Sequence, residues 1–338
     1  MKKKILITGG AGYIGSHTLI KLIESGYSPV VFDNLSNANI ESLNRVEQLS
    51  GITIPFIKGD IRDANSIRSV FQSYDFQAVI HLAGLKAVGE SVEKPLLYYE
   101  NNVYGSMQLF KVMNEYKVKT IVFSSSATVY GDPVSLPLNE SMPTGVPTNP
   151  YGMSKLIIES ILNDLHTIDD NWRIVNLRYF NPVGAHSSGL IGENPNGIPN
   201  NLMPFISQTA TGQLEKLSVF GADYDTHDGT GIRDYIHVVD LANGHIQALK
   251  KVEHESGLWT VNLGTGIGYS VLDMISAFEH ASGQKVPYEI VGRRSGDVEA
   301  CYADPTYAKV ALDWEAKLDL NDMCRDVWNW QSKNPEGY

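Results

Sequence analysis

A glycine-rich turn near the start of the sequence constrains the fold more than any other feature. The stretch ILITGGAGYIGSH (residues 5–17) runs from a short apolar segment into Gly9, Gly10, Gly12 and Gly15 and continues with a helical pattern. Glycines at this spacing allow a tight turn, a close approach of the backbone to a pyrophosphate, and close packing of the helix on the strand. The first N–H groups of such a helix point at the phosphates. The turn therefore predicts a dinucleotide-binding strand–turn–helix unit.

Short apolar runs alternate with amphipathic stretches along the first half of the chain. The apolar runs are KKILITG, PVVFDN, ITIPFIKGD, QAVIHLAG, KTIVFSSS and RIVNLRYFNP, and stretches such as GSHTLIKLIESG and SKLIIESILNDL lie between them. Strands that alternate with helices indicate a parallel sheet with helices on both faces. The predicted fold class is therefore α/β, with a Rossmann-type doubly wound parallel sheet.

The texture of the chain changes after about residue 180. The sequence GAHSSGLIGENPNGIPNN is rich in Gly, Pro and Asn, which is typical of loops. We therefore predict a dinucleotide-binding domain over residues 1–180 and a smaller α/β substrate-binding lobe over residues 181–338, where irregular structure with scattered helices continues. Residues 236–264 again show a helix and then a strand, and this segment is expected to pack back on the first domain.

Composition limits the class of protein. A chain of 338 residues with 43% apolar residues can bury a large core. No apolar run approaches the roughly 20 residues that span a bilayer, and the apolar part of MKKKILITGG is too short for a signal peptide. Cys301 and Cys324 form no CxxC motif and have no histidine at ligand spacing, which argues against a disulfide framework or a metal site and favours a reducing cytoplasm. The net charge of −11 gives no general attraction to nucleic acid, so an anionic substrate needs local arginines.

An acidic residue at the end of the second predicted strand fits a dinucleotide site. Asp33 lies 18 residues after Gly15, close to the spacing expected for a carboxylate that binds ribose hydroxyls. That carboxylate would repel a 2′-phosphate, so NAD is favoured over NADP. The alternative is that Asp33 caps a helix in the segment DNLSN.

The ends of the next two strands carry further candidates, because the carboxyl ends of parallel strands line the ligand crevice. Asp60, in KGDIRD, is positioned to hydrogen-bond an adenine, although a single aspartate of this kind is more often a cap or turn residue. Ala83 and Gly84, in HLAGLKAVGES, are small enough for the backbone to approach a cofactor. Lys86 follows them and either reaches a phosphate or ribose or lies in solvent.

A tyrosine and a lysine four residues apart are the main candidates for catalysis. The stretch TIVFSSSATVYG ends the fifth predicted strand at Ser126, and PYGMSKLIIES begins a helix with Pro150, a residue favoured at helix starts. Tyr151 and Lys155 share one face of that helix, a spacing that is by itself equally typical of an exposed pair. Together with the glycine turn, however, this combination resembles the extended short-chain dehydrogenase/reductase superfamily. Ser126, Tyr151 and Lys155 are then an active site.

A more specific resemblance covers essentially the whole chain. Several segments look like the UDP-glucose (UDP-galactose) 4-epimerase family: TGGAGYIGSHT, HLAGLKAVGESVEKPLLYYENNV, FSSSATVYGDP, NPYGMSKLIIE, LRYFNPVGAHSSGLIGENPNGIPNNLMPFI and DGTGIRDYIHVVDLANGH. The long LRYFNPVGAH…IPNNLMP block is far more specific than the superfamily motifs. The resemblance implies tightly held NAD, a UDP-sugar substrate, and inversion at sugar C4 through a transient ketone. It also implies a homodimer in which the helical stretches 95–117 and 150–168 pair across a two-fold axis.

The proposed chemistry explains the residue types. A free tyrosine has a pKa of about 10, and a base for an alcohol works best near the operating pH. Lowering that pKa by about 3 units requires roughly 4 kcal/mol of preferential phenolate stabilisation. The Lys155 ammonium and the positive nicotinamide ring supply that field in a dry site, and Ser126 donates to the sugar oxygen or relays the proton.

The resemblance also implies substrate contacts. Arg233 and Arg294 are local cations for the diphosphate, with Arg293 adjacent, because arginine forks suit phosphate oxygens. By the resemblance, Asp297 binds the uridine ribose and Phe220 forms a wall for uracil, although a lone Asp297 reads as a cap and a lone Phe220 as core. Asn181 and Asn201 offer amides to the diphosphate and sugar, with a turn former as the alternative for Asn201, and Tyr179 is placed beside the nicotinamide.

Two sets of residues follow. The predicted cofactor-binding residues are Gly9, Gly12, Tyr13, Ile14, Gly15, Asp33, Asn34, Asp60, Ile61, Ala83, Gly84, Lys86, Asn101, Ser124, Tyr151, Lys155, Tyr179 and Phe180. The predicted substrate-binding residues are Lys86, Ser126, Tyr151, Asn181, Asn201, Leu202, Phe220, Arg233, Tyr235, Arg294, Asp297 and Cys301.

Cys301 departs from the family pattern. Many bacterial members that act mainly on plain hexoses carry a bulky tyrosine at the position of Cys301 in GDVEACYAD, where the family resemblance implies a gate beside the sugar. The alternative is a small, buried filler. As a gate, cysteine would also admit UDP-N-acetylglucosamine and UDP-N-acetylgalactosamine.

Two other functions compete with epimerisation. One is a different nucleotide-sugar enzyme of the superfamily, a dehydratase or a decarboxylase. A 4,6-dehydratase typically has Thr-Asp-Glu near the serine, whereas this chain has Ser126-Ala127-Thr128. The other is a non-catalytic NAD-sensing regulator, which would tolerate loss of Tyr151 or Lys155, and both are present.

Overall fold

The structure is a computed structural model that describes residues 2–197, 199–294 and 297–338. Its strands are β1 (Lys4–Thr8), β2 (Ser28–Asp33), β3 (Phe56–Lys58), β4 (Phe76–His81), β5 (Thr120–Ser126), β6 (Arg173–Tyr179), β7 (Asn181–Val183), β8 (Leu217–Phe220), β9 (Ile232–His237), β10 (Leu258–Leu263), β11 (Gly268–Ser270), β12 (Tyr288–Val291) and β13 (Ala300–Cys301). Its helices are α1 (Tyr13–Glu24), α2 (Glu41–Ser50), α3 (Ala64–Ser73), α4 (Val88–Glu93), α5 (Pro95–Tyr98), α6 (Gly105–Glu115), α7 (Pro150–Ile168), α8 (Leu202–Ala210), α9 (Val238–His254), α10 (Val271–Ser282), α11 (Thr306–Leu312) and α12 (Leu320–Lys333). A π-helical turn, Tyr99–Tyr104, joins α5 to α6.

Seven parallel strands form the central sheet, in the order β10-β6-β5-β4-β1-β2-β3. Alternate side chains of β1 enter different cores: Ile5 and Ile7 pack in one buried cluster with residues of α1 and α9, whereas Leu6 packs in another with residues of α3 and α6. A parallel sheet is expected to have helices covering both of its faces. The predicted α/β, doubly wound sheet is confirmed. Its seventh strand, β10, comes from late in the chain and pairs with β6, with Leu258 beside Ile174.

The second half of the chain is more regular than the sequence suggested. β11, β9 and β13 lie side by side, β7 also pairs with β9, and β8 pairs with β12. A third buried cluster, which includes Met203, Phe278 and Val327, packs α8, α10 and α12 together. The expectation of irregular structure with scattered helices was wrong here because strands of two to four residues are too short to show an alternating pattern.

A helix that could cross a membrane would need to be long and strongly apolar, and the described part of the chain contains none.

Candidate active site

The glycine turn forms a cradle of bare backbone at the carboxyl end of β1. Gly9 has φ +73°, in the left-handed region that favours glycine. A Cβ at Gly15 would lie 2.4 Å from the Gly9 carbonyl oxygen, so a side chain there would push the helix off the turn. α1 begins directly after Gly12, so its first N–H groups face the turn. This geometry fits the diphosphate of a dinucleotide.

Asp33 connects the second strand to the glycine turn. Its carboxylate is 9% exposed, and it accepts hydrogen bonds from the backbone N–H of Ala11 at 3.1 Å and of Leu35 at 2.8 Å. Burial raises the pKa of Asp33, and the two N–H donors oppose that rise. An ionised carboxylate has about four acceptor positions, so capacity remains for ribose hydroxyls. The alternative, that Asp33 caps a helix in DNLSN, is wrong: Asp33 accepts from Leu35 in a turn, and the next helix begins at Glu41 with Ile40 at its N-cap.

Asp60 is engaged by its own neighbours. Arg62 donates to both carboxylate oxygens, at 3.0 and 2.9 Å, and Asn34 donates at 3.1 Å. The hydrogen bonds from Arg62 lower the pKa of Asp60 to about 2. The adjacent Ile61 lines the cleft described next.

One open cleft brings together most of the predicted cofactor residues. It runs along the carboxyl ends of the central strands, the place where ligands bind in open α/β sheets. The predicted residues that line it are Gly9, Gly12, Tyr13, Ile14, Gly15, Asp33, Asn34, Ile61, Ala83, Gly84, Lys86, Asn101 and Ser124. The cradle and the carboxylate of Asp33 together fit NAD.

Tyr151 and Lys155 lie in the first two turns of α7. Asn149 caps this helix by accepting from the Gly152 N–H at 2.9 Å. Lys155 is buried, its Nζ donates to the Ser124 carbonyl at 2.7 Å, and Nζ lies 5.9 Å from the centroid of the Tyr151 ring. The ammonium is therefore held between the end of β5 and the phenol. Ser126 is the last residue of β5, and its hydroxyl is close enough to the Tyr151 phenol to influence its pKa. The structure therefore brings together all three predicted catalytic residues.

Burial and hydrogen bonding set the pKa values at this site. Burial raises the pKa of the Tyr151 phenol, and the Ser126 hydroxyl acts in the opposite direction. Burial lowers the pKa of Lys155 to about 8, and the negative charge of Glu159 opposes that fall. Because burial by itself keeps Tyr151 protonated near neutral pH, the lowering of its pKa that catalysis needs has to come from positive charge next to the phenolate.

A buried ion pair next to Lys155 was not predicted. Glu159, one turn after Lys155, accepts from Arg178 of β6 at 3.0 Å and 2.7 Å, and it also accepts from the Ser125 hydroxyl. The Arg178 guanidinium lies 4.8 Å from the centroid of the Tyr130 ring. The arginine within the apolar run RIVNLRYF is the sequence signal that could have revealed it, since a buried charge requires a partner.

The predicted nucleotide-binding residues converge in the second lobe. Arg294 donates to Asp297 at 2.9 Å and lies 4.7 Å from the centroid of the Phe220 ring, and Arg233 lies 3.6 Å from Asp297. Arg293 points elsewhere: it bonds Asp223 and stacks 4.0 Å from the centroid of the Tyr224 ring. Of the two adjacent arginines, the geometry therefore favours Arg294 as the one that lies with the predicted nucleotide-binding residues.

Cys301 on β13 is paired in register with Arg233 on β9. Its side chain is half-buried and packs against a buried cluster that contains Phe180 and Ala127. Ala127 is the residue that follows Ser126 in the sequence. Burial raises the pKa of its thiol to about 11. The thiol is therefore a neutral, small group close to the end of β5, which satisfies both the gate and the filler interpretations.

Glu193 joins two predicted residues and was missed by the sequence analysis. Its carboxylate accepts from Lys86 Nζ at 3.0 Å and from Asn201 Nδ2 at 2.7 Å. Leu202 follows as the first residue of α8, and Asn181 is the first residue of β7.

Tyr179, predicted at the cofactor, and Tyr235, predicted at the substrate, are both buried. The Tyr179 hydroxyl hydrogen-bonds His245, another residue that the sequence analysis did not select. Burial raises the pKa of Tyr179, and it raises the pKa of Tyr235 to about 12. Both phenols are therefore neutral near pH 7.

Comparisons with known proteins agree with this geometry. A family model described as GDP-mannose 4,6 dehydratase matches residues 6–327. The chain is 58% identical to the UDP-glucose 4-epimerase of Homo sapiens, over 100% of this chain and 99% of that protein, and 59% identical to the UDP-glucose 4-epimerase of Bacillus subtilis, over 99% and 98%. The solved structure of a Bifidobacterium longum UDP-glucose 4-epimerase in complex with NAD+ and UDP is 53% identical and superposes with a TM-score of 0.97, over 99% of this chain and 100% of that one. The resemblance expected from the sequence is confirmed, and the chain belongs to the UDP-glucose 4-epimerase family, within the extended short-chain dehydrogenases/reductases.

Proposed function

We propose that this protein is a UDP-hexose 4-epimerase that interconverts UDP-glucose and UDP-galactose with bound NAD. The observation that carries the proposal is the convergence of Ser126, Tyr151 and Lys155 at the end of β5, beside the cleft that begins at the glycine turn. Gly12, Gly15 and Asp33 would hold NAD in that cleft, and the cofactor would supply reversible hydride transfer at sugar C4, so that no second redox substrate would be consumed.

The residues of the chain provide the proton chemistry. Tyr151 removes the O4 proton as C4 becomes a ketone and returns a proton when the configuration has inverted. Lys155, fixed by the Ser124 carbonyl at 2.7 Å, keeps a positive charge near the phenolate. Ser126 donates to the sugar oxygen, and its buried position limits competition from water.

The arginines of the second lobe anchor the substrate while the sugar turns. Arg233 and Arg294 bind the diphosphate, Asp297 the uridine ribose, and Phe220 the uracil. The mutual contacts of Arg294, Asp297 and Phe220 support these roles, because they place a cation, an acceptor and an apolar ring within one patch. A fixed diphosphate allows the ketone to present either face to the same Tyr151.

The remaining features of the proposal concern organisation. The dinucleotide domain spans residues 1–180 and the UDP-sugar lobe residues 181–338, although β10 belongs to the central sheet. The protein is a homodimer, which the exposed apolar side chains of Val92, Leu96 and Tyr104 on the stretch before α6 support. Its location is the cytoplasm, which its two free cysteines support.

We also propose that the N-acetylhexosamine derivatives of UDP are substrates. Support comes from Cys301, which is small and lies against the cluster that follows Ser126. A side chain of this size leaves space for a C2 N-acetyl group.

The competing functions have weaker support. The two residues after Ser126 are Ala127 and Thr128, which lack the acidic pair that a 4,6-dehydratase requires. A silent NAD sensor would have no reason to keep Lys155 buried and hydrogen-bonded beside Tyr151.

The test is direct. Purified protein should show nicotinamide absorbance and convert UDP-galactose to UDP-glucose without added reductant, with Tyr151→Phe as the inactive matched control. The same assay on a panel of UDP-sugars reports the substrate range. Protein that holds NAD but converts none of the UDP-sugars would refute the proposed function.

A further inference from the structure

One wall of the cofactor cleft comes from the second half of the chain. Residues 192–195 and Tyr338 line the cleft together with Gly12 and Gly15. Residues 192–195 follow the loop after β7, and Tyr338 follows α12, so this wall comes from the second half of the chain. Whatever holds these residues in place also determines how easily a dinucleotide can leave.

A stack of one cation and two aromatic rings supports this wall. The Arg45 guanidinium, on α2, lies 5.0 Å from the centroid of the Tyr338 ring and 5.5 Å from that of the Trp330 ring. The two ring centroids are 4.9 Å apart. Arg45 belongs to the dinucleotide domain and Trp330 to the last helix, so the stack connects the two halves of the chain at the cleft.

Hydrogen bonds fix the segment that this stack covers. The Tyr338 hydroxyl lies 3.3 Å from both the N–H and the carbonyl of Gly192. Arg45 donates to the Leu190 carbonyl at 3.0 Å and to the Asn334 side chain at 2.5 Å. A Cβ at Gly192 would lie 2.4 Å from the Trp330 ring, so the backbone of the wall packs directly on the indole.

We propose that Tyr338 is a cofactor-retaining residue: with Arg45 it clamps the segment 189–195 against the dinucleotide domain and closes the cleft over the bound NAD. The phenol suits this role because it offers a face to the guanidinium and a hydroxyl to Gly192 at the same time. Tyr338 is a positioning residue and takes no part in the transfer of protons or hydride. The inference rests on the proposed use of NAD.

The rate at which NAD leaves tests the proposal. Purified protein is loaded with radiolabelled NAD and chased with excess unlabelled NAD, and the loss of label is followed by filter binding. Tyr338→Ala should release NAD about tenfold faster or more, the scale of a lost stacking contact and hydrogen bond. Tyr338→Phe keeps the ring and should accelerate release only about threefold. Tyr307→Ala, a matched tyrosine on the exposed surface of α11, should release NAD at the wild-type rate.

The outcomes separate the clamp from the proposed function. Release from Tyr338→Ala at the rate of Tyr307→Ala would overturn the clamp while leaving the proposed function intact, whereas wild-type protein that binds no NAD would refute the proposed function itself. Circular dichroism reports whether each variant is folded. Should Tyr338→Ala fail to fold, Arg45→Met removes the cation from the same stack and should also accelerate release several-fold, and an unchanged rate there would overturn the clamp.

Discussion

Removing one partner of the ion pair between Glu159 and Arg178 should destabilise the fold far more than the same change in a surface pair of similar geometry. Arg178 approaches both oxygens of Glu159, at 3.0 and 2.7 Å, and the two side chains are 7% and 8% exposed. Glu159→Gln keeps the shape but leaves the guanidinium buried without a compensating charge. Removing one partner of a buried pair costs about 3–5 kcal/mol. Arg178 Nη1 has no hydrogen-bond partner among the described residues, so little remains to compensate the charge.

The chain contains a matched control. Arg68 approaches both oxygens of Glu115 at 2.7 and 2.8 Å, with side chains 37% and 43% exposed. Glu115→Gln should leave the free energy of unfolding almost unchanged, because water already solvates both charges. Because the two pairs have similar distances, the difference between the unfolding free energies of the two variants reports the effect of burial.

The assay is urea unfolding at a fixed excess of NAD, since ligand binding shifts the apparent stability. The double variant Glu159→Gln/Arg178→Met should be less destabilised than the sum of its single variants, by about 0.5–3 kcal/mol, as expected for residues in contact. Equal unfolding free energies for Glu159→Gln and Glu115→Gln would refute the reasoning.

Three further predictions concern the site and the assembly. Tyr151→Phe should retain NAD and UDP, because only a hydroxyl is lost, yet reduce turnover about 100-fold or more in the UDP-galactose assay; near-normal turnover would remove Tyr151 from the mechanism. Cys301→Tyr should reduce the reaction of UDP-N-acetylglucosamine about tenfold or more and largely spare UDP-glucose, because overpacking costs about 1–3 kcal/mol; equal losses in the two assays, or a wild type inert toward the N-acetyl pair, would show that Cys301 is no gate. Sedimentation at micromolar concentration should show a dimer, and Leu96→Glu should weaken it while Val310→Glu, equally exposed on α11, should not; a wild-type monomer would contradict the predicted interface.

The parts of the site that are local in sequence could be predicted. The glycine turn needs only strand, turn and helix within 13 residues, and Tyr151 and Lys155 are one helical turn apart. The contacts that complete the site are long-range: Lys86 and Glu193 are 107 residues apart, and Tyr338 and Gly192 are 146 apart.

The short strands of the second lobe could not be predicted from the sequence for a different reason. β13 has two residues, and its place beside β9 is decided by pairing of Cys301 with Arg233 rather than by a preference of its own sequence. β-propensity is largely a measure of such context. The family resemblance placed both residues at the substrate, but the register that makes them neighbours is visible only in the folded chain.

Charge pairing explains how a chain with a net charge of −11 can offer cations to a diphosphate. Lys86 lies 3.0 Å from Glu193, and Arg294 lies 2.9 Å from Asp297, so each of these two cations is held by a carboxylate. Arg233 lies farther from Asp297, at 3.6 Å, which is beyond a normal hydrogen bond. A phosphate can therefore engage the Arg233 fork without breaking a short ion pair, whereas it must share Arg294 and Lys86 with their carboxylates. This arrangement keeps the cations from repelling one another, and under the proposed function it leaves Arg233 as the cation that a diphosphate engages without displacing a short ion pair.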